Sequence, residues 1–341
     1  MVKDLKKMEK AYIKHVAYYL PERIVTNEDI VKNFSEKAVE KISDNVGIQQ
    51  RHRTDPGETA SDMALKAANA LFDESGIERE SIDFVVLCTQ CADYFMPSTA
   101  CVLQNRLGLR KDIGAFDIDL GCSGYVYGLA IAKSLILGGL ASNVLLLTAD
   151  NVTRYLHPQD KGNQTLFGDA ATATVVSTEG RAEIMDFVLG TDGAGANNLI
   201  VKSGASRMPE RQNDLTFDKN GSPVSSDHMY MNGAQIFVFT QRIVPKLVKD
   251  VLAKNNLNQE DIDLFVFHQA NRFMLDFLRK KLGVAEDRFC IYLENFGNTA
   301  SNTIPISLVE ARKENRVKGK VMLCGFGVGY SWAGVVLNVN Q

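Results

Sequence analysis

The sequence predicts an α/β fold built from two similar halves. Residues 80–87 and 260–267 share Glu, Ile, Asp and Val at matching positions. Each stretch is a nearly continuous apolar run, which is typical of a strand buried on both faces. Each also follows a helix-like segment, 61–75 in the first half and 234–255 in the second. The repeated pattern indicates an internal duplication.

The similarity continues beyond these two strands. In each half a helix-like segment ends in Leu-Gly, and a second strand, a glycine-containing turn, a further helix and a third strand follow. The second strands are predicted at 115–120 and 289–293, and the third strands at 143–148 and 320–325. A β-α-β-α-β order in each half predicts parallel sheets covered by helices.

The chain is expected to divide into three parts. Residues 1–185 form an N-terminal half, 186–232 a polar insertion or lid, and 233–341 a C-terminal half. The stretch 203–228 is rich in Ser, Asn, Asp and Pro. Such composition favours a surface excursion, and an insertion without a role is the alternative.

Composition excludes several classes of protein. The 341 residues carry a net charge of −3 with scattered basic residues, which argues against nucleic-acid binding. Residues 1–14 lack the apolar core of a signal peptide, and the longest apolar runs have only strand length. Cys88 and Cys91 form a CxxC without a second pair, so no metal site is expected. A cytoplasmic protein without membrane contact, its cysteines reduced, is predicted.

Three chemically distinctive residues follow predicted strands. Cys122 and Asn298 come just after the equivalent second strands, and His268 directly follows the first strand of the second half. Open α/β sheets bind ligands beyond the carboxyl ends of their strands. We therefore expect these three side chains to converge on one pocket.

Cys122 lies in a predicted strand-to-helix turn. The segment after it, 126–137, reads as a buried apolar helix, and glycines at 121 and 124 flank the cysteine. The positive end of a helix dipole favours thiolate and lowers a cysteine pKa. We therefore expect a reactive thiol at Cys122, against the alternative of a buried structural cysteine.

Taken singly, His268 and Asn298 also fit structural roles. A histidine at a strand end is often a satisfied buried residue, and Asn298 suits a turn or an N-cap. The glycine-rich run 324–330 could present a backbone N–H to an oxyanion. A cysteine with a histidine and an asparagine permits thiol hydrolysis or acyl transfer followed by carbon–carbon bond formation.

A basic run ends the helix predicted over 271–282. Arg279, Lys280 and Lys281 complement the negative end of the helix dipole. They could equally meet an acidic partner.

Four motifs together resemble one enzyme family. They are 121–125 (GCSGY), 268–271 (HQAN), 297–299 (GNT) and 327–332 (GVGYSW). In this order they are similar to the signatures of β-ketoacyl-acyl-carrier-protein synthase III, and the resemblance runs from about residue 11 to the end. It implies a thiolase-like, five-layered α-β-α-β-α fold of two duplicated halves, normally a homodimer.

The resemblance also implies the chemistry. Cys122 would be the nucleophile, His268 and Asn298 would serve the condensation, and the backbone N–H groups of Cys122 and Val328 would form the oxyanion hole. The implied substrates are an acyl-CoA and malonyl-acyl carrier protein (malonyl-ACP), without a bound cofactor, in the initiation of fatty acid synthesis. The implied contacts to CoA or to the carrier protein are Lys161, Asn271, Arg279, Lys280 and Lys281.

Departures from the family pattern concern the acyl donor. Lys41 and Asn45 stand where the family commonly has a Trp and an Arg that grip coenzyme A, and Lys161 replaces a second Arg. Arg and Lys are not equivalent at a stacked site, which argues against acetyl-CoA as the primer. The alternatives are a related acyltransferase or synthase of specialised metabolism using a non-acetyl donor, a thiol hydrolase, and a non-catalytic binding scaffold.

Overall fold

The computed structural model describes residues 10–32, 34, 45–219 and 221–339. Eight α-helices are assigned within these residues: α1 (Asn27–Val31), α2 (Ala60–Ser75), α3 (Thr99–Arg106), α4 (Gly124–Leu137), α5 (Lys161–Leu166), α6 (Gly233–Lys254), α7 (Arg272–Leu282) and α8 (Thr303–Lys313). The helix boundaries agree with the predicted segments to within a few residues.

Strands of the first half are β1 (Tyr12–Tyr19), β2 (Arg23–Thr26), β3 (Gln50–Arg53), β4 (Phe84–Cys88), β5 (Gly114–Ile118), β6 (Asn143–Asp150), β7 (Ala170–Ser177) and β8 (Ala182–Ile184). The later strands are β9 (Val188–Thr191), β10 (Leu199–Ile200), β11 (Thr216–Phe217), β12 (Pro223–Val224), β13 (Tyr230–Met231), β14 (Leu264–Phe267), β15 (Gly319–Gly327) and β16 (Ser331–Val339).

One main sheet runs through both halves in the order β5-β4-β6-β7-β1-β8-β16-β15-β14, and β9 also pairs with β16. Strands β4, β5 and β6 are parallel, as are β14 and β15, which confirms the parallel pairing predicted for these segments. The sheet as a whole is mixed, because β7 runs antiparallel to β6 and to β1, and β16 runs antiparallel to β15.

The predicted strand at 289–293 is wrong. Only Phe289 pairs with the sheet, through an isolated parallel bridge to Phe265. The N–H of Tyr292 instead donates to the side-chain Oε1 of Gln269 at 2.8 Å. Because a side chain takes this donor, the segment leaves the sheet edge after one bridge and leads directly toward Asn298.

The helices form layers around this sheet. Helices α2 and α3 pack against the strands of the first half. Helix α6 packs against β15 and β16, and α7 packs against α6. Helix α4 contacts β4 and β6 on one side and β15 and β16 on the other, while α8 contacts β1 and β14. Two central helices thus lie between the sheet portions of the two halves, giving the expected order of five layers.

The apolar character of α4 follows from this position. Val126, Leu129, Ala132 and Ile136 are fully buried, and only Ser134 among the residues of this helix is exposed, so most of its surface packs against protein. Within the described residues, no helix is both long and apolar enough to cross a membrane. The stretch 203–228 is mostly exposed and contains the two-stranded pair β11–β12.

Candidate active site

Cys122 lies in the turn between β5 and α4. The N–H of Gly124 donates to the carbonyl of Gly121 at 2.7 Å, which closes the turn. A Cβ on Gly124 would lie 2.3 Å from Cys88 Sγ, so glycine is required where the helix begins. The Cys122 side chain is only 7% exposed.

Strand β15 passes directly against this thiol. A Cβ on Gly327 would lie 3.0 Å from Cys122 Sγ, so only glycine permits this close approach of the backbone. The backbone N–H groups of Val328 and of Cys122 itself face the sulfur and act to lower the pKa of the Cys122 thiol. Two preorganised donors therefore meet at the atom that would attack a substrate carbonyl.

His268 follows the last residue of β14. Its N–H donates to the carbonyl of Cys324 on β15 at 2.8 Å, and its Nδ1 lies 2.7 Å from the hydroxyl of Thr303. Burial lowers the pKa of His268 to about 3. The imidazole is therefore neutral at physiological pH.

Asn298 is held by backbone pairing with the first half. Its N–H donates to the carbonyl of Leu166 and its carbonyl accepts from Gly168. Its side-chain Oδ1 accepts from the N–H of Ala300 at 3.0 Å, and its Nδ2 points to the carbonyl of Ala270 at 3.5 Å. The turn-forming role expected of an asparagine is thus filled by one end of the amide, leaving Nδ2 only weakly engaged.

These three predicted residues are connected through short contacts. A Cβ on Gly325 would lie 3.0 Å from the carbonyl oxygen of Cys122, and Gly325 follows Cys324, which pairs with His268. Ala270 in turn donates its N–H to the carbonyl of His268 and accepts from Asn298. The structure therefore links the backbones of the cysteine, the histidine and the asparagine through short contacts, with Cys122 after β5 and His268 after β14.

The expected lowering of the Cys122 pKa is wrong. Burial raises the pKa of Cys122 to about 12, and the negative charge of Asp150 acts in the same direction. The N–H groups of Val328 and Cys122 oppose this rise without cancelling it. Desolvation of the thiolate outweighs the helix start, so the resting side chain is a thiol.

Sequence reasoning missed Asp150 and Ser301. Asp150 ends β6 and is fully buried, with its carboxylate hydrogen bonded to the Ser301 hydroxyl. A charged residue at the carboxyl end of an apolar strand was the available signal. Ser301 lies 151 residues away and carried none.

A large cavity lies beside Val328, whose N–H faces Cys122. Its volume is about 1110 Å³, and its lining also includes Gly329, Tyr155, Phe95 and Met96. Leu199, Ile200 and Met229 form part of its apolar wall. The lining combines these apolar side chains with charged ones, including Asp93, Asp119 and Arg154.

Comparisons with known proteins identify the family. Two family models match, 3-oxoacyl-[acyl-carrier-protein] synthase III over residues 116–193 and its C-terminal counterpart over 252–339. A β-ketoacyl-[acyl-carrier-protein] synthase III of Clostridium perfringens is 34% identical over 335 residues, covering 97% of this chain and 100% of the relative. The chain belongs to the β-ketoacyl-[acyl-carrier-protein] synthase III family.

Solved structures agree with this membership. A 3-oxoacyl-(acyl-carrier-protein) synthase III crystal structure shares 46% identity with a TM-score of 0.94, covering 96% of this chain and 99% of the other. The Burkholderia xenovorans 3-oxoacyl-(acyl-carrier-protein) synthase shares 36% identity with a TM-score of 0.90, covering 98% and 95%. The predicted family, its thiolase-like fold and its condensing acyltransferase class are confirmed.

The residues of this synthase III that were predicted to contact CoA or the carrier protein differ in exposure and in the partners they already have. Asn271 caps α7, its Oδ1 accepting from Met274 at 2.8 Å. Arg279 is ion-paired to Glu286 at 2.7 Å with its side chain 13% exposed. Lys280 and Lys281 are both exposed, and Lys281 donates to the carbonyl of Gln241. The basic surface at the end of α7 is thus smaller than the sequence suggested, since Arg279 is already engaged.

Of the three positions that depart from the family pattern, two lie within the described residues. Lys41 lies outside the described residues, and Asn45 is exposed. Lys161 begins α5, and its Nζ lies 5.9 Å from the ring centre of Phe34. Within the described residues, no cluster of three or more His, Cys, Asp or Glu side chains could hold a metal ion.

Proposed function

We propose that this chain joins an acyl thioester primer to malonyl-ACP by decarboxylative Claisen condensation, giving a β-ketoacyl-ACP at the start of fatty acid synthesis. The observation that carries the proposal is that the Val328 and Cys122 N–H groups face the buried Cys122 sulfur, while the buried His268 is linked to Cys122 through the backbone of β15. A sulfur nucleophile beside two preorganised donors is suited to acyl transfer.

Acylation involves Cys122 and the two N–H groups that face its sulfur. Cys122 Sγ attacks the thioester carbonyl, and the carbonyl oxygen takes over the N–H groups that face the sulfur in the empty pocket. Collapse of the tetrahedral intermediate forms the acyl–Cys122 bond and breaks the bond to the donor sulfur. The thiol proton ends on the departing thiol. Each donor to such an oxyanion is worth about 3 kcal/mol.

Condensation involves His268 and Asn298. Malonyl-ACP loses carbon dioxide, and the negative charge moves onto its thioester oxygen as an enolate. His268 Nε2 and Asn298 Nδ2 donate to that oxygen, and the enolate carbon attacks the acyl carbonyl on Cys122. The new carbon–carbon bond forms as the acyl–sulfur bond breaks, and the released Cys122 thiolate takes a proton from solvent to restore the thiol. When the Thr303 hydroxyl donates to Nδ1 of His268, the Nε2 carries the hydrogen that this role requires. A neutral imidazole and an amide add no charge that would repel the malonyl carboxylate.

The large cavity supports a primer longer than acetyl. It includes Val328, whose N–H faces the reacting sulfur, and its volume of about 1110 Å³ slightly exceeds the range usual for small-molecule sites. Together with the loss of the residues that grip coenzyme A at Lys41 and Asn45, this favours a longer acyl-CoA or a carrier-bound acyl group.

Two features support the homodimer. Strand β5 is the last strand of the main sheet within the described residues, so its outer edge can pair with a second copy. Near the cavity mouth Tyr94, Phe95 and Met96 are 62%, 90% and 82% exposed. Covering these side chains in a dimer would remove a substantial apolar patch from water. Sedimentation equilibrium tests this, and a monomer at micromolar concentration contradicts it.

Lys280 is the exposed cation that we assign to the carrier protein, with Lys281 beside it. The acidic surface of a carrier protein would meet these two charges and the adjacent exposed ring of Phe273, which is 55% exposed. Such contacts between charged surfaces raise the association rate and weaken with salt.

The experiment is a two-stage reaction followed by mass spectrometry. Wild type offered a panel of acyl-CoAs should gain an acyl mass on the Cys122 peptide and release a β-ketoacyl-ACP once malonyl-ACP is added. Cys122→Ala should do neither, whereas the matched control Cys101→Ala, which removes an exposed cysteine, should do both. Release of free acid without the ketoacyl product would identify a thiol hydrolase instead.

A further inference from the structure

Asp150 is a buried acid placed between the two halves of the molecule. It is 0% exposed. Its Oδ1 accepts from the N–H of Gln90 at 2.8 Å, and its Oδ2 accepts from the Ser301 hydroxyl. Both donors are neutral, so the hydrogen bonds stabilise the carboxylate without neutralising its charge.

Both partners of Asp150 border the turn that carries Cys122. A Cβ on Gly121 would lie 2.5 Å from Gln90 Oε1, and a Cβ on Gly124 would lie 3.7 Å from the Cβ of Ser301. The carboxylate therefore sits behind the nucleophile, bonded to one residue on each side of the turn.

The charge of Asp150 acts on the thiol in a region without bulk water. It raises the pKa of Cys122, after burial, which is the larger cause. The titratable groups that interact with Asp150 are thiols, a phenol and a second carboxyl: Cys88, Cys91, Cys122, Tyr155 and Asp169. Since each of these is neutral or negative, the field at Cys122 from this cluster opposes ionisation.

We propose that Asp150 is a positioning residue that restrains the nucleophile, keeping Cys122 an unreactive thiol while the pocket is empty and holding the Ser301 loop that continues from Asn298. The proposal rests on the proposed function in taking Cys122 as the acyl acceptor. The restraint would protect the thiol from adventitious electrophiles until a thioester occupies the two N–H donors.

The effect of the Asp150 charge should be seen in the pH dependence of the Cys122 alkylation rate. Burial raises the pKa of Asp150 to about 7, against the opposing effect of its hydrogen bonds from Ser301 and Gln90. Below that pH the acid is neutral and the restraint is released, and above it the carboxylate is charged and the thiolate is disfavoured. The alkylation rate of Cys122 should therefore rise less steeply with pH around 7 than below 6 or above 8. His268 is neutral throughout this range and adds no inflection.

The test is the rate of Cys122 alkylation by iodoacetamide, an uncharged reagent, measured by peptide mass spectrometry from pH 5.5 to 9. Asp150→Asn should remove the inflection, match wild type below pH 6 and react faster above pH 8. Each unit by which the Cys122 pKa falls raises the thiolate fraction tenfold and lowers its intrinsic nucleophilicity about threefold. The expected gain is about threefold for each unit.

Ser301→Ala is the matched control, because it removes the hydroxyl donor but keeps the charge. Its inflection should persist and move to higher pH, since Ser301 lowers the pKa of Asp150. An Asp150→Asn profile that superimposes on wild type overturns the proposal, as does a Ser301→Ala profile without an inflection. Should Asp150→Asn not fold, a wild-type profile without the inflection overturns it as well. Alkylation requires no acyl transfer, so this result is independent of whether Cys122 accepts an acyl group.

Discussion

The Nδ1 of His268 lies 2.7 Å from the hydroxyl of Thr303. Thr303 is the first residue of α8, so the central helix layer orients the imidazole. The hydroxyl also lies 3.3 Å from the carbonyl of Ala300, an acceptor that competes for its proton. The bond to His268 decides which imidazole nitrogen faces the substrate.

Thr303→Val should impair condensation selectively. The valine matches threonine in shape but leaves a buried imidazole nitrogen without its partner, at a cost of about 1–2 kcal/mol. Condensation should slow roughly five- to thirtyfold, while acylation of Cys122 changes little. Single-turnover assays of the two half-reactions measure the split. Thr303→Ser should restore the rate, and equal loss in both half-reactions would count against the assigned role.

His268 should make folding stability depend on pH. Its pKa is about 3 in the folded state against 6.5 as the ordinary value, so the unfolded chain binds a proton that the folded chain does not. Stability from this residue is fully present above pH 6.5 and is lost as the pH falls toward 3. At pH 5 the loss is about 2 kcal/mol, from 1.4 kcal/mol per pH unit.

The contribution of His268 to folding stability must be measured against a variant, because the titration of Asp150 changes folding stability with pH in the opposite direction. Its pKa is raised in the folded state from 3.8 to about 7, so it adds stability at low pH that is lost as the pH rises through this window. Wild type alone should show only a shallow slope. Urea unfolding at pH 7 and pH 5 should find that wild type loses about 2 kcal/mol more than His268→Asn. A difference that stays constant with pH would refute the buried neutral imidazole.

Gly327→Ala should abolish acylation without unfolding the chain. The added methyl would lie 2.8 Å from the Cβ and 3.0 Å from the sulfur of Cys122, which displaces the thiol from the donors that face it. Displacement by 1 Å costs on the order of a hundredfold in rate. Gly233→Ala is the control, because nothing lies within 4 Å of its added methyl. Thermal melting checks that both variants fold, and normal acylation by folded Gly327→Ala would contradict the geometry.

Much of the active-site arrangement could be predicted from sequence because it depends on local order. Apolar runs followed by turns located Cys122 after β5 and His268 after β14. The position of Asn298 was predicted from a strand at 289–293 that the structure lacks, and backbone hydrogen bonds to Leu166 and Gly168 hold it instead.

The features that could not be predicted from the sequence depend on how deeply a residue is buried and on contacts between residues that are far apart in the chain. The pKa of Cys122 was predicted in the wrong direction because the burial of a turn is not encoded locally. The strand predicted at 289–293 failed because the Gln269 side chain takes the N–H of Tyr292. Asp150 was overlooked because its partner Ser301 comes from the other half, and the basic run at Arg279 looked free because its pairing with Glu286 was not visible.

Asn298→Asp separates the two halves of the reaction. The substituted carboxylate can still accept from Ala300, so the turn is retained, but it cannot donate to the enolate and places a like charge beside it. Cys122 in this variant should still be acylated. Loss of one oxyanion donor costs about a hundred- to a thousandfold, and added repulsion makes the condensation defect larger.

The most direct test is to acylate wild type and Asn298→Asp with the best acyl-CoA, remove the donor, and follow the acyl mass on the Cys122 peptide after malonyl-ACP is added. Both proteins should carry the adduct on Cys122, and only wild type should discharge it as β-ketoacyl-ACP. Discharge by both at the same rate, or an adduct on a residue other than Cys122, would refute the assigned roles of Cys122 and Asn298.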